Sequence, residues 1–201
     1  MDKKMLIAHL IDRGALRSPA LIRSFELVDR KDFVPEGEQG AAYGDFPLPI
    51  GHGQTISQPY TVAFMLELLG VRAGERVLDI GSGSGWTTAL LAATVGEGGE
   101  VLGVERVGEL AETGRRNLEK YGFSHARIEQ AGAELGVPGE MFDRILVSAS
   151  AERFPNSLTD QLKPGGVLVI PVGHSILRVE KSRNGDLDYD EYPGFVFVPL
   201  I

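Results

Sequence analysis

Apolar positions near the middle of the chain follow a helical period. In the segment SQPYTVAFMLELLG, residues 57–70, the apolar residues spaced i, i+3, i+4, i+7 share one helix face: Val62, Met65, Leu66 and Leu69. Ser57 precedes this run as the predicted N-cap, Pro59 falls in the first turn, and Gly70 follows the run as a stop. The pattern therefore predicts a helix that begins just after Ser57.

From Arg76 onward, short apolar runs alternate with helix-like segments. The runs typical of buried strands are RVLDI, EVLGVE, ARIEQA, DRILVSA and GGVLVIPV. Between them the sequence predicts helices at 87–95 and 110–121 and a short helix at 158–162. Such alternation predicts a doubly wound α/β fold with a mostly parallel sheet and right-handed crossovers.

The two ends of the chain follow other patterns. Near the N-terminus, isolated apolar residues predict helices ahead of a turn-rich stretch: Leu6, Leu10, Ile22 and Phe25. Near the C-terminus, SILRVEK and DLDYDEY flank Asn184-Gly185, which predicts a β-hairpin, and GFVFVPLI is predicted to be a last strand. We expect one domain over 1–201, with an N-terminal helical and loop segment (1–56), a core (57–173) and a C-terminal hairpin and strand (174–201).

The composition narrows the range of partners. The formal net charge of −8 argues against nucleic acid, because phosphate binding requires a basic surface. The chain has no Cys, and its four His residues show no metal-ligand spacing, so we expect neither disulfides nor a metal. No apolar run approaches the roughly 20 residues of a membrane span, and the N-terminal run is too short for a signal peptide. We expect a cytoplasmic protein.

A glycine-rich turn, DIGSGSGW, directly follows the first strand of the alternating region. In an open parallel sheet, this is where ligands bind. A phosphate-binding P-loop requires Lys after the last Gly, and Trp86-Thr87 supplies none. A dinucleotide fingerprint requires Gly where Trp86 stands, which makes a nicotinamide oxidoreductase the least favoured reading. The alternative to a ligand site is a tight strand–helix turn.

Two acidic residues indicate which ligand the turn binds. Asp79 precedes Gly81, and Glu105 ends the next strand 24 residues after Gly81. A carboxylate at that second position can accept hydrogen bonds from both hydroxyls of a ribose. An acid ahead of the loop suits an amine-bearing, cationic ligand better than a pyrophosphate. S-adenosylmethionine, with its adenosine, sulfonium and amino-acid end, has this character.

Several longer segments together are similar to the protein-L-isoaspartate O-methyltransferase family, in the order and spacing of that family. They are LPIGHGQTISQPYTVAFMLELL, VLDIGSGSGWTTALLA, VLGVERV, QLKPGGVLVIPVG and FVFVPLI, with ELVDRKDFVP and AAYGDFPL near the N-terminus. The resemblance covers nearly the whole chain. It implies a Rossmann-like methyltransferase fold and methyl transfer from S-adenosylmethionine to the α-carboxylate of L-isoaspartyl residues in damaged proteins, which begins their repair.

The resemblance also implies a set of site residues. Those expected at the cofactor are Asp79, Gly81, Ser82, Gly83, Gly85, Glu105, Arg106, Gly132 and Ala133. Those expected at the substrate are Thr55, Ile56, Gln58, Val169, Ile170 and Val172, with Ser57 as the catalytic residue. The partners would be isoaspartyl-containing proteins or peptides, and we expect a monomer.

The chemistry of a carboxylate acceptor agrees with this reading. A carboxylate with a pKa of roughly 4 is ionised at pH 7, so its oxygen needs no general base. Attack on a sulfonium methyl group then depends mainly on placement. We expect Ser57 and its neighbouring amides, at the N-terminus of the predicted helix, to bind that carboxylate. The alternative for Ser57 is a plain N-cap.

One stretch departs from the family pattern. Where the family usually has Gly-Asp-Gly, with the Asp near adenine, this chain has Ala131-Gly132-Ala133. Glu134 or Gln130 could substitute for that Asp, or packing and backbone alone could hold adenine. The departure keeps two alternatives open: a methyltransferase acting on another carboxylate, and a cofactor-binding module without transferase activity.

Overall fold

The computed structural model describes residues 1–200, which form helices and strands in the following order. The helices are α1 (Lys3–Asp12), α2 (Pro19–Leu27), α3 (Pro59–Leu69), α4 (Trp86–Val95) and α5 (Gly108–Glu119). The strands are β1 (Leu48–Gly51), β2 (Gln54–Ile56), β3 (Arg76–Ile80), β4 (Glu100–Glu105), β5 (Ala126–Gln130), β6 (Phe142–Val147), β7 (Leu162–Val172), β8 (Ser175–Lys181) and β9 (Leu187–Pro193). No helix within this range has the length and apolar composition to cross a membrane.

Seven strands form one sheet in the order β5-β4-β3-β6-β7-β8-β9. The five strands from β5 to β7 run parallel, whereas β8 and β9 add antiparallel to the edge of the sheet. The chain moves outward from β3 to β4 and β5, then returns to the other side of β3 at β6. This reversal opens a crevice at the carboxyl ends of β3 and β6, where ligands bind in sheets of this kind.

The sheet separates two apolar clusters because successive strand residues face opposite sides. Val77 and Val101 pack into the cluster that includes residues of all five helices, while Leu78 and Leu102 face a second cluster. This second face is covered by residues 131–141 and a 3₁₀ turn, Asn156–Leu158. The α/β class is confirmed. The second layer lacks an α-helix in the described part of the chain because the β5–β6 connection is short and rich in Gly and Pro.

The hairpin β8–β9 and the alternating strands are confirmed, but two local predictions about helices are wrong. The N-cap of α3 is Gln58, not Ser57, and its side chain makes no capping hydrogen bond. The helix predicted at 158–162 is the shorter 3₁₀ turn, after which β7 begins at Leu162. The division of the domain at residues 56 and 173 stays a prediction.

The segment predicted to be a last strand is instead an irregular tail, residues 194–200, that crosses the carboxyl edge of the sheet. It is held there by hydrogen bonds of 2.8 Å from Ser150 N to Val198 O and from Leu200 N to Ser150 O. Within residues 1–200, the tail forms only an isolated bridge, between Pro199 and Ser150 just after β6. The residue at position 201 lies outside the described range.

A small hairpin, β1–β2, forms within the stretch that the sequence indicated only as turns. Its two-residue turn consists of His52, with φ +54°, and Gly53, with φ +72°. Positive φ at both central residues is the type I′ geometry that matches the twist of paired strands. The hairpin carries residues 54–57 to the crevice at the edge of the sheet.

We expect Gly114→Ala to destabilise the fold. A Cβ at Gly114 of α5 would lie 3.0 Å from both the carbonyl oxygen of Gly83 and Cδ1 of Ile128. Overpacking of this kind costs about 1–3 kcal/mol of unfolding free energy, more than the roughly 1 kcal/mol that Ala gains in helix propensity. Thermal melts should show a lower melting temperature.

The matched control is Gly108→Ala in the same helix, where a Cβ would approach only the side chain of Gln130, at 3.3 Å. If Gly114→Ala melts at or above the temperature of Gly108→Ala, then the close approach of α5 to the loop is not needed for stability.

Candidate active site

A cavity of about 300 Å³, here called the main cavity, lies at the carboxyl ends of β3, β4, β5 and β6. Its walls contain most of the predicted cofactor residues: Gly81, Gly83, Glu105, Arg106, Gly132 and Ala133. Ile50 and Thr55 of the β1–β2 hairpin and Val198 of the tail complete it from the other side. The crevice created by the strand order is therefore a cavity with walls on both sides.

The glycine loop, residues 81–85, is held by backbone and carboxylate acceptors. Gly81 N and Ser82 N donate to the carbonyl of Val104, at 2.9 and 3.2 Å. Gly83 N donates to Glu105 Oε2 at 2.9 Å. The loop backbone is thus fixed to the end of β4 before any ligand arrives.

Gly85 does not line the main cavity. Its φ is +93°, and a Cβ there would lie 3.0 Å from the carbonyl oxygen of Gly114. This glycine is needed for the close packing of the loop against α5, so its predicted contact with a cofactor is not supported by the geometry. Gly114 is the packing partner that the sequence analysis missed.

Glu105 occupies the predicted position at the end of β4. The side chain is buried, with Oε2 accepting from Gly83 N and Oε1 accepting from Val107 N, both at 2.9 Å. These bonds hold the carboxylate in the wall of the main cavity, where each oxygen keeps a further lone pair for a ligand hydroxyl. Arg106, by contrast, lies exposed at the rim.

Asp79 lies beneath the glycine loop and is fully buried. Its Oδ2 accepts from the hydroxyls of Thr87 and Thr88 at 2.7 Å each, which ties β3 to the first turn of α4. Burial raises the pKa of Asp79 to about 6, while the threonine hydrogen bonds oppose the shift. Asp79 lines none of the cavities, so the structure supports a role in holding the loop rather than the predicted contact with a cofactor.

A small cavity of about 40 Å³ separates the glycine loop from residues 55–57. Ser82 lines this small cavity and not the main one. The Oγ atoms of Ser82 and Ser84 and Nε1 of Trp86 are buried beside it, and they have no hydrogen-bond partner within residues 1–200. These polar atoms are available to a bound group or to water.

An open groove of about 680 Å³ lies on the other side of residues 55–58. Thr55, Ser57 and Gln58 line it, as predicted for substrate residues, and Ile56 lines the small cavity. Thr55 borders the main cavity, the small cavity and the groove, and Ser57 borders the last two. The three spaces therefore meet at Thr55, and Ser57 lies between the small cavity and the groove.

Val169, Ile170 and Val172 do not line any of these three spaces. Val169 and Ile170 are fully buried on opposite faces of β7, and Val172 packs against the second apolar cluster. The sequence indicated correctly that this strand ends at the same edge of the sheet. Its side chains, however, belong to the core, and the tail takes the place that they were predicted to occupy beside the groove.

The remaining walls were missed by the sequence analysis. The groove is lined on its far side by Tyr60, by Pro193 at the end of β9 and by apolar tail residues: Phe195, Val196, Phe197 and Val198. The sequence predicted GFVFVPLI only as a last strand, not as a wall of a ligand space. Ser148, after β6, lines both the main and the small cavity, and no sequence motif marks it.

The N-terminus of α3 is already occupied by a carboxylate of the protein. Asp45 Oδ1 accepts from Tyr60 N at 2.8 Å, and Asp45 Oδ2 lies 3.4 Å from Nε2 of His9. Pro59, at the start of the helix, has no N–H. Asp45 therefore fills the first free amide of the helix, and the prediction that Ser57 and its neighbouring amides bind the substrate carboxylate stays a prediction for the N–H groups ahead of α3.

Arg30 is a buried cation that the sequence analysis also missed. Its exposed fraction is 2%, and its guanidinium donates to five carbonyl oxygens: Ala42 at 2.8 Å, Gly44 at 3.2 Å, Phe46 at 3.0 Å, Ile56 at 3.4 Å and Ser57 at 3.1 Å. The group also lies over the ring of Trp86, 5.3 Å from its centroid. Burial lowers the pKa of Arg30 to about 10, which leaves it charged at neutral pH.

The sheet order, the glycine loop after β3 and the acid at the end of β4 define the Rossmann-like methyltransferase class. A sequence model described as Protein-L-isoaspartate(D-aspartate) O-methyltransferase (PCMT) matches residues 1–201. The chain belongs to this family.

Individual relatives match over almost the whole chain. The protein-L-isoaspartate O-methyltransferase of Methanopyrus kandleri is 43% identical over 205 residues, covering 99% of this chain and 91% of the relative. That of Methanothrix thermoacetophila is 44% identical over 203 residues, covering 100% and 95%. A crystal structure described as a protein-L-isoaspartate O-methyltransferase of Plasmodium falciparum, in complex with S-adenosyl-L-homocysteine, matches with a TM-score of 0.87 at 28% identity, covering 100% of this chain and 99% of that one.

We expect the Asp79→Asn substitution to remove one pH-dependent contribution to the free energy of unfolding. The folded-state pKa of Asp79, about 6, is raised above the ordinary value of 3.8. Its protonated form therefore stabilises the fold below pH ~4, and this contribution is lost as the pH rises to ~6.

Chemical denaturation of the wild type and Asp79→Asn between pH 3.5 and 7.5 measures this contribution. Relative to Asp79→Asn, the wild type should lose on the order of 3 kcal/mol of unfolding free energy as the pH rises from ~4 to ~6. Above that pH the difference between the two proteins should stay constant. A difference that does not vary with pH would show that Asp79 titrates as an ordinary carboxyl.

Proposed function

We propose that this chain transfers a methyl group from S-adenosylmethionine to the α-carboxylate of L-isoaspartyl residues in damaged proteins, which begins their repair. The observation that carries the proposal is the meeting of the main cavity and the groove at Thr55 and Val198, with Ser57 beside Thr55 in the wall of the groove. A cofactor compartment and a peptide-sized groove that share a wall are the arrangement a group transfer between two bound molecules requires. The whole-length family match supports the same reaction.

The main cavity fits S-adenosylmethionine in chemistry. Glu105 offers acceptors for the ribose hydroxyls, and the glycine loop at Gly81 and Gly83 lets the amino-acid end lie against the backbone. The hydroxyl of Ser82 lies in the adjoining small cavity and has no hydrogen-bond partner within residues 1–200. It is a further donor beside the amino-acid end of the cofactor. When bound, the cofactor supplies an electrophilic sulfonium methyl group.

The adenine end would lie among residues 131–136, which form one wall of the main cavity. Of the two residues that could replace the missing family Asp, Glu134 lines the cavity, whereas Gln130 lies beside Gly108 outside it. We therefore assign adenine to the backbone of Gly132 and Ala133, with Glu134 as the acid at the rim.

The residues of this chain have three tasks in the reaction. The groove binds the peptide, with Tyr60, Phe195 and Phe197 contacting apolar parts of its chain. Ser57 and Thr55 hold the carboxylate at the junction with the main cavity. The tail and the β1–β2 hairpin exclude water there, so the carboxylate oxygen attacks from a fixed position. Since this oxygen is already ionised, placement is the main contribution, and it can supply roughly 7–11 kcal/mol.

We also propose that the protein is a cytoplasmic monomer and binds no nucleic acid. The net charge of −8 supports the last point, because a nucleic-acid site requires a basic surface.

The test uses two peptides that differ only in one L-isoaspartyl or L-aspartyl linkage, incubated with the protein and radiolabelled S-adenosylmethionine. We expect base-labile label on the isoaspartyl peptide alone. Equal label on both peptides would indicate a methyltransferase acting on other carboxylates. Cofactor binding without label on either peptide would indicate a binding module and would overturn the proposal.

We expect Ser57→Ala to reduce kcat/KM for the isoaspartyl peptide by roughly tenfold or more, because a hydrogen bond to a charged group contributes about 1.5–3 kcal/mol. The affinity for S-adenosylhomocysteine, measured by calorimetry, should stay unchanged. Ser124→Ala is the matched control, since Ser124 is an exposed serine that does not line the main cavity, the small cavity or the substrate groove. A Ser57→Ala enzyme as active as Ser124→Ala would exclude Ser57 from carboxylate binding.

A further inference from the structure

The carboxylate-binding end of the groove contains no cationic side chain. None of the residues that line the small cavity or the groove is Lys, Arg or His. The first amide of α3, at Tyr60, is taken by Asp45. A protein with a net charge of −8 must therefore attract the substrate carboxylate there with other donors.

The best available donors are two consecutive backbone amides. Within residues 1–200, the N–H groups of Ser57 and Gln58 donate to no carbonyl in the turns, loops and caps, and to no side chain. Both residues line the groove. Consecutive N–H groups that face the same space form a common type of anion site in proteins.

The direction of these amides is set by Arg30. Its Nη2 donates to the carbonyl oxygens of Ile56, at 3.4 Å, and of Ser57, at 3.1 Å. Because a trans peptide unit is planar, the N–H that follows each carbonyl points the opposite way. The N–H groups of Ser57 and Gln58 therefore both point away from the buried guanidinium.

Arg30 is itself fixed on every side. The guanidinium also bonds the carbonyls of Ala42, Gly44 and Phe46 and lies over Trp86, which lines the small cavity. The planar guanidinium presents its donors in a rigid fork from two terminal nitrogens, whereas Lys presents its donors from a single nitrogen.

We propose that Arg30 is a positioning residue for the methyl acceptor: by binding the carbonyls of Ile56 and Ser57, it turns the next two N–H groups toward the groove as donors to the substrate carboxylate. This inference rests on the proposed function and adds to it the group that makes the carboxylate site. Arg30 acts through the backbone, and the substrate does not touch it.

The test measures recognition of the carboxylate separately from turnover. Enzyme saturated with S-adenosylhomocysteine is titrated by calorimetry with two peptides, one carrying the free isoaspartyl α-carboxylate and one carrying a carboxamide in its place. For the wild type we expect the carboxylate peptide to bind roughly tenfold more tightly or better. In Arg30→Lys the ratio of the two Kd values should fall close to one, with the Kd of S-adenosylhomocysteine unchanged.

Arg144→Lys is the matched control for the loss of a buried arginine. Arg144 is 5% exposed, donates to the carbonyls of Gly70 and Asp143, and pairs with Glu75 at 2.9 Å near the start of β6, away from the groove. The Arg144→Lys substitution should lower the melting temperature and keep the wild-type ratio of the two Kd values. An Arg30→Lys protein that also keeps the wild-type ratio would overturn the proposal.

A second variant tests the amides without disturbing Arg30. Gln58 has φ −55° and ψ 132°, which proline adopts without strain, so Gln58→Pro deletes one N–H and keeps the backbone path. Gln58→Ala removes the side chain and keeps the N–H. We expect the Kd ratio to fall several-fold further in Gln58→Pro than in Gln58→Ala, and equal ratios in the two variants would contradict the proposal even if Arg30→Lys does not fold.

Failure of this inference differs from failure of the proposed function. If the wild type methylates the isoaspartyl peptide selectively while Arg30→Lys keeps its Kd ratio, the reaction stands and only the role of Arg30 falls. If the wild type methylates neither the isoaspartyl peptide nor the aspartyl peptide, the proposed reaction itself is wrong.

Discussion

The buried guanidinium of Arg30 is the interaction on which the substrate side of the molecule depends. A charged group with 2% exposure is stable only if most of its donors are satisfied, and here five carbonyls of residues 42–57 accept from Nη1 and Nη2, while Nε has no partner within residues 1–200. Apart from the short β1–β2 hairpin these residues are irregular, so the contacts with Arg30 are a main means of holding their conformation. The stacking on Trp86 then attaches the whole segment to α4, directly behind the glycine loop. The side chain of Arg30 thereby connects the segment that lines the groove to the helix beside the cofactor compartment.

The cofactor side is organised by the backbone and the sheet. The strand order creates the crevice, and the contact between Gly85 and Gly114 brings α5 against the glycine loop. Glu105 fixes the loop from the end of β4 with its carboxylate, and Asp79 fixes it from below through two threonine hydroxyls. Both acids therefore hold the loop in shape, and only Glu105 also faces the space where a ligand would bind. Asp79 and Glu105 are both buried, but they differ in what they face: Asp79 faces the threonines of α4, and Glu105 faces the main cavity.

The sequence could predict what depends on periodicity and on the order of strands. The α/β alternation placed Glu105 at the end of β4 and opposite the glycine loop, and the helix α3 begins within two residues of its predicted start. It could not predict contacts between distant segments. That Asp45 fills the end of α3, that Arg30 binds carbonyls 12 to 27 residues away, and that the tail displaces Val169 and Ile170 from the groove are all consequences of tertiary packing. None of them has a local pattern that would reveal it.

The tail has a consequence for the order of events in each turnover. Val198 belongs at once to the wall of the main cavity and to the wall of the groove, and two backbone hydrogen bonds to Ser150 hold this part of the chain. Any shift of the tail therefore alters both compartments together. Thermodynamic linkage requires that such a coupling be reciprocal: whatever factor a bound peptide adds to the affinity for the cofactor, the bound cofactor adds to the affinity for the peptide. Release of one product then changes the affinity for the other by that same factor.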